Sequence, residues 1–485
     1  MFLKAGLLSL CLLLASRLLG LLRETTQAAA FGATGLGDVA VLMLTLPDWL
    51  VGVFASGGLA YVLLPAWATL NKGQIAASQR RAGHGLVLAG CVAATSLAAA
   101  NRLAVDWLAG GLPNELLSPA ARALLWSAGA VPFALLAALW ASRLQFERDF
   151  LGLYAANLVV NVVLIATLYL VARHVSGAPL VAVDRLGWGL MAAMLARLVW
   201  LSWRNRRFSR SIPQEEGADL PPTPIWFWAI AAAGLPLALP FAARSLASDQ
   251  GPGALATFNY GWKLAELPLM LAIQLVATLA LGPIASALAR ASSREQAASV
   301  IRRGFALSWV LACACAAGLV VAAPALARLL FGWGRMQPEA LQDVATWGRI
   351  AAWGLLPQAL TAIALTILAA QKRMRAAVFA YGFALALLLA YGPHEGGLLM
   401  AWLNVLFTGI CLVTLGAVGG GLRLWLPWRA LVVGGVCLLA VYILFQILGV
   451  PEQLPWQLVA GVVAGVAVLA VSYALSPDLR ASLRR

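Results

Sequence analysis

The feature that most constrains this chain is its succession of apolar runs, each about the 20 residues that a helix needs to cross a bilayer. Charged or Gly/Pro-rich breaks separate fourteen of them, near 5–31, 39–70, 85–105, 121–143, 151–172, 186–203, 225–247, 254–287, 304–327, 345–370, 376–391, 397–419, 428–449 and 455–476. With 62% of its 485 residues hydrophobic and 11% charged, the chain has little left over for a soluble domain. The expectation is an all-α polytopic membrane protein of about 14 transmembrane helices.

The net charge of +15 is read through topology. Alternate loops on one side hold 22 of the 34 Lys and Arg residues, from Lys4 through Arg80/Arg81, Arg204/Arg206/Arg207/Arg210, Arg290/Arg294 and Lys372/Arg373/Arg375 to Arg484/Arg485. The positive-inside rule makes that side cytoplasmic and predicts both termini there. The surplus marks orientation and attraction to membrane lipids, so nucleic acid is not expected as a partner. Lys4 ahead of an apolar run superficially resembles a signal peptide, but Arg17, Arg23 and Glu24 follow without a cleavage site, and a retained first helix is expected.

Other chemistries are disfavoured. The six cysteines sit in apolar runs without a CxxC pair, and His84, His174 and His394 fall in three separate loops, so neither a metal site nor a cofactor nor an enzyme is expected.

An internal repeat is legible. Leu46-Pro47 and Pro65 in span two recur as Leu267-Pro268 and Pro283 in span eight, and Pro132 with Gln145 and Arg148 recur as Pro357 with Gln371 and Arg373. The offsets of the leading prolines are 221 and 225 residues. This predicts two pseudo-symmetric six-helix lobes plus two C-terminal helices, an architecture of transporters with a substrate site between lobes. The expected divisions are an N-lobe at 1–203, a cytoplasmic linker at 204–224, a C-lobe at 225–420, and the last helix pair with its tail at 421–485.

An ionisable side chain at a helix centre costs about 2.5–3.5 kcal/mol on insertion scales, so each calls for a function, a partner or an escape to the interface. Arg17 lies near the middle of span one, and Arg17, Gly20 and Glu24 share one stripe while Arg23 lies on another face. An Arg17–Glu24 ion pair tying helices together is the bland alternative to a substrate role. In span eight, Asn259, Lys263 and Glu266 form one polar stripe, which is either a self-neutralising Lys263–Glu266 pair or a cation held for an anionic headgroup. Arg197 is expected to snorkel to the cytoplasmic interface. Asp38 is a candidate helix N-cap at the start of span two, and Asp48 faces an unknown partner.

On these residues the chain resembles the MurJ/MviN lipid II flippase family of the multidrug/oligosaccharidyl-lipid/polysaccharide exporter superfamily, as a divergent member. The resemblance rests on Ser16-Arg17 through Arg23-Glu24, Phe31-Gly32 through Asp38 to Leu46-Pro47, Gly253 through Asn259-Tyr260, Lys263, Glu266 and Pro268, and Leu330-Phe331-Gly332, and it covers about residues 1–420. It implies an inner-membrane protein that moves the peptidoglycan precursor lipid II from cytoplasmic to periplasmic leaflet by alternating access, serving cell wall biogenesis and cell shape, with a polyprenyl-tail groove on the last helix pair. It carries Arg17, Arg23, Asp38 and Lys263 as functional positions, with Glu24, Asn259 and Glu266 beside them as substrate-binding candidates, in a protein acting as a monomer. The physical logic is that fixed cations compensate the desolvation of a diphosphate, with no covalent step.

Two departures keep other readings open. Val51-Gly52 stands where the family has a basic pair, and Lys263 where it has an arginine. A flippase for another polyprenyl-diphosphate glycan, such as an exopolysaccharide or O-antigen precursor, is one alternative; a degenerate homologue acting as an envelope scaffold is another. Cation-coupled drug export fits less well, because it favours cavity acids over Arg17 and Arg23. Spans seven and eleven carry no acids where some relatives bind sodium, which leaves coupling to a cation or to the membrane potential open.

Overall fold

The computed structural model describes residues 2–173, 178–209, 220–290, 294–419, 421–449 and 451–483. His174, linker residues 210–219 with Arg210, the side chains of Lys4, Arg290 and Arg294, and Arg484 and Arg485 lie outside the described residues. Every regular element among the described residues is a helix, and the chain forms two compact units, Met1–Ala256 with Trp333–Met336, and Thr257–Gly332 with Gln337–Arg485.

The first unit contains α1 (Phe2–Phe31), α2 (Gly35–Val53), α3 (Leu59–Trp67), α4 (Lys72–Ala99), α5 (Asn101–Leu108), α6 (Asn114–Phe146), α7 (Phe150–Ala172), α8 (Pro179–Ser209) and α9 (Thr223–Ser248). Local chemistry sets several starts: Thr34 caps α2 by accepting from Gly37 N, and Asn71 and Gln74 form a reciprocal capping box at α4. The core is built round α6, against which α2, α4 and α8 pack. Its buried face is largely alanine, including Ala120, Ala123, Ala130, Ala134, Ala137 and Ala138, so neighbouring backbones come close. Gly90 of α4 lies directly on Pro132, where an added Cβ would stand 2.8 Å from the proline Cα.

α9 packs on α2, α3, α5 and the π-helical turn Phe54–Gly58, and so belongs to the first compact unit. The compact-unit boundary at Ala256 therefore does not coincide with the division expected in the 204–224 linker. Apolar contact surface decides where compact units divide, whereas the polar linker marks only a break in hydrophobicity.

The chain continues through α10 (Ala254–Pro268), whose first turn belongs to the first unit. The second unit then holds α11 (Gln274–Arg290), α12 (Arg294–Phe331), α13 (Pro338–Trp353), α14 (Leu355–Ala370), α15 (Arg375–Tyr391), α16 (Gly396–Val418), α17 (Leu422–Trp425), α18 (Trp428–Leu448), α19 (Leu454–Leu475) and α20 (Pro477–Leu483). Its centre is α12, with α11, α13, α14, α18 and α19 around it. Gly461 and Gly465 of α19 meet Ala314, Gly318 and Ala322 of α12, with an ideal Cβ on Gly461 only 2.9 Å from the Gly318 carbonyl oxygen. Small residues every four positions allow this approach in a lipid environment.

The two sequence repeats carry matching local structure. A π-helical turn follows the Leu-Pro of each, at Phe54–Gly58 and Leu269–Ile273. α6 and α14 end in the same Schellman motif: Asp149 N donates to Leu144 O and Arg148 N to Gln145 O, while Arg373 N donates to Leu368 O and Lys372 N to Ala369 O. Arg148 and Lys372, 224 positions apart, are the two described non-glycine residues with positive φ, both 58°.

The repeats differ in the middle of this span. α6 is continuous past Pro132, whereas α13 and α14 meet at a 45° bend. The bend deprives the Ile350 carbonyl of its helical donor, and the Asn404 side-chain amide donates to it at 2.7 Å, as a broken helix inside a membrane requires.

All fourteen expected segments fall on helices. Among the described residues eleven helices are long and apolar enough to cross a membrane, or twelve if the bent pair is one span, while α15 is shorter at 17 residues. The chain is a multi-pass membrane protein.

Candidate functional site

In the first unit the chemistry concentrates where α1, α2 and α8 bring charges inside. Arg23 is buried on α1 and donates 2.6 Å to Asp48 of α2 and 2.8 Å to its neighbour Glu24. One guanidinium therefore serves two carboxylates from two helices, a use of its planar fork that an ammonium cannot copy. Glu24, the acid considered as a partner for Arg17, is engaged by Arg23, and Asp48 has acquired a partner. Arg17 is exposed on α1, close enough to Tyr154 of α7 for its charge to act on the phenol. Ser16 beside it is buried and its carbonyl accepts from the Asn161 amide of α7 at 3.4 Å.

Arg197 requires a correction. It was expected to snorkel, but it is 5% exposed, among the most buried charges of the first unit. The reason is that Arg197 lies on the face of α8 that packs into the unit, where Ala193, Met194 and Leu201, about one turn away on either side, are likewise buried. Asp48 is the acid whose charge acts on it. The sequence signal that was available is the i, i+4 spacing that puts Arg197 on one stripe with Ala193 and Leu201.

Asp38 does not cap its own helix, since Thr34 does that. Its carboxylate, 1% exposed, instead accepts from the backbone of Gly253 at 2.6 Å and Ala256 at 2.7 Å, and so caps the first turn of α10. Glycines make this junction possible. Gly253 has φ +90°, and a Cβ there would lie 2.1 Å from the Ala33 carbonyl oxygen; Gly32 has φ +67°, with the Arg335 carbonyl equally close in its way.

In the second unit, the stripe on α10 resolves into a buried Asn259 and a Lys263–Glu266 contact of 2.8 Å within the one helix. Both partners keep about a quarter of their side-chain surface exposed, 21% and 29%. α10 is held against α13 by close backbone approach, with Gly261 against Trp347 and Gly348 against Leu264. Among the described residues no group of three or more His, Cys, Asp or Glu is placed to hold a metal ion.

This arrangement of membrane helices is shared with solved transporters of the MOP superfamily. The chain superposes with a TM-score of 0.79 on the lipid II flippase MurJ in an inward closed conformation, at 14% identity over 96% of this chain and 99% of that one. On an inward-facing multidrug resistance MATE family transporter the TM-score is 0.62, at 12% identity over 87% of this chain and 94% of that one. At such identities the likeness establishes the fold alone.

The sequence narrows it further. The family model described as lipid II flippase MurJ matches residues 27–422, and the chain belongs to that family. A curated relative, named probable lipid II flippase MurJ, of Rhizobium meliloti (strain 1021), is 28% identical over 342 residues, 67% of this chain. The match spans 62% of that relative's length.

Proposed function

We propose that the protein is a flippase for a polyprenyl-diphosphate-linked glycan, and for lipid II first among these, moving it from the cytoplasmic to the periplasmic leaflet of a bacterial inner membrane by alternating access. The observation that carries this reading is family membership over residues 27–422 joined to arginines kept inside apolar helices, where an unneeded charge is costly. Both termini are cytoplasmic in this reading, and the protein acts as a monomer. Transport proceeds without a covalent step.

Arg17 and Arg23 in the first unit and Lys263 in the second receive the diphosphate. Each has a different readiness. Arg17 is exposed, Lys263 is partly exposed and pairs with Glu266 on its own helix, and Arg23 must be shared with Asp48 and Glu24. Glu24 and Glu266 keep these cations neutralised in the empty protein, and Asn259 lies one turn from Lys263 on the same stripe. Asp38 acts on substrate indirectly, by fixing the start of α10, the helix that carries Asn259 and Lys263.

A second reading, a flippase for another polyprenyl-diphosphate glycan, draws on Gly52 and Lys263. A Cβ on Gly52 would already be 3.1 Å from Leu237 of α9, so a long basic side chain in this position needs α9 to give way. Lys263 is a point charge without the bidentate fork.

Depletion of the host's lipid II flippase tests the two readings together. Rescue by this gene, with lipid II among the lipids co-purifying with the protein in mass spectrometry, is the expected result. Failure to rescue, with a different diphosphate-linked glycan co-purifying, assigns the second reading. Failure with no such lipid overturns both.

A further inference from the structure

The buried nitrogen donors of the first unit without a hydrogen-bond acceptor include Nε of Arg23, Nε2 of Gln27 and Nε of Arg197. Arg23 and Gln27 are four residues apart on α1 and share a face. Arg197 comes from α8, and among the described residues no carboxylate stands within ion-pair distance of it. The acid whose charge reaches it is Asp48, which already receives the Arg23 fork at 2.6 Å. One carboxylate thus answers to two guanidinium groups.

Asp48 is also the least confined member of the group. Its side chain is 37% exposed, against 10% for Arg23 and 9% for Glu24. Buried guanidinium groups with spare donors cost more than those fully bonded, because the lost hydration is only partly replaced. The deficit here is of acceptors carrying negative charge. A phosphate oxyanion supplies them: it accepts at every oxygen and matches the guanidinium fork.

We propose that Arg197 joins Arg23 as a receiving cation for a phosphate group, with Asp48 holding the anion's place in the empty protein and yielding it on binding. The inference rests on the flippase reading, in which the phosphate is that of a lipid-linked diphosphate; a free diphosphate has the same chemistry. Arg197 thereby supplies from span six a positive charge that span two, with Val51 and Gly52, does not.

The full-length protein in nanodiscs, titrated with undecaprenyl diphosphate or with inorganic pyrophosphate and read by native mass spectrometry, tests this. Arg197→Ala is expected to weaken binding about tenfold or more, the loss of one charge-assisted pair. Asp48→Asn is expected to tighten it, because the competing anion is gone. Opposite signs are the signature of the proposal; a purely structural network has both variants weaken binding together with a fall in melting temperature, and that result overturns it. Arg197→Gln, which keeps bulk and hydrogen bonding without charge, replaces the alanine variant if the latter does not fold. Arg197-dependent binding of the lipid identifies a headgroup site, and of pyrophosphate alone a free-phosphate site. If Arg23→Ala abolishes lipid binding while both Arg197 variants retain it, the role of Arg197 falls and the flippase reading stands. If the wild-type protein binds neither probe, the flippase reading falls and this inference with it.

Discussion

The two units share close small-residue packing and differ in how firmly their charged side chains tie helices together. In the first, polar ties cross between helices: Arg23 of α1 to Asp48 of α2, Asp38 of α2 to the start of α10, and Arg122 of α6 to Asp184 of α8. In the second, α12 and α19 are joined by glycine and alanine in near backbone contact, Ser308, Trp309 and Asn404 donate to backbone carbonyls of neighbouring helices, Arg302 of α12 lies 4.0 Å from Asp478 of α20, and Lys263 pairs with Glu266 along α10. A cation that ties helices is difficult to release. The partly exposed i, i+3 contact of Lys263 with Glu266 is a weaker tie than the buried one of Arg23 with Asp48.

The largest test of this contrast is Arg23→Ala. It strands Glu24 and Asp48, and removing one partner of a buried pair costs about 3–5 kcal/mol, so both melting temperature in detergent and transport are expected to fall steeply. Gly461→Val attacks the second unit's own fastening. With a Cβ already 2.5 Å from the Ala322 Cβ, overpacking is expected to cost about 1–3 kcal/mol in thermal unfolding. Asn404→Ala leaves the Ile350 carbonyl without its donor at the α13–α14 bend, for about 1–2 kcal/mol.

Lys263→Ala sharpens the contrast from the other side. The partly exposed pair contributes about 1 kcal/mol or less to stability, so the melting temperature should barely move while flipping in liposomes is lost. A stability loss as large as that of Arg23→Ala would erase the distinction between the units.

The smallest effect belongs to the loop between α6 and α7. Burial pushes the Asp149 carboxyl up, but hydrogen bonds from Arg204 and Gly152 and the charges of Arg204 and Arg207 outweigh it and hold the group below the usual carboxylate range. A lowered folded-state value means that Asp149 contributes stability above its ordinary range and loses it as pH falls through the lowered value. The melting difference between wild type and Asp149→Asn should therefore be present at neutral pH and close as the pH falls through the lowered carboxylate range.

How much was legible depended on whether a feature is local. Lys263 and Glu266 are three residues apart on a helix, and their contact follows from spacing alone. Arg23 with Asp48 spans two helices and 25 residues, and no periodicity relates them. Periodicity related Arg17 to Glu24 and gave no sign that Glu24 also receives the adjacent Arg23. Arg197 was misread because which face of α8 packs inward is set by the neighbouring helices. The paired Leu-Pro offsets pointed to a repeat, but the Schellman turns at Arg148 and Lys372 use residues with no glycine to mark them.

By itself the sequence determined that this protein is a bundle of membrane helices, which side its cationic loops favour, and which few charges sit where lipid would reject them. These follow from transfer free energy, which is summed residue by residue along the chain. The tertiary structure decided which of those charges are bound and which are spare. It joined Asp48 to Arg23, buried Arg197 with no carboxylate within ion-pair distance among the described residues, and turned Asp38 from a cap of its own helix into the cap of another. Those outcomes depend on distances between separate helices, and an ion's partner is set by distance, which hydropathy does not encode.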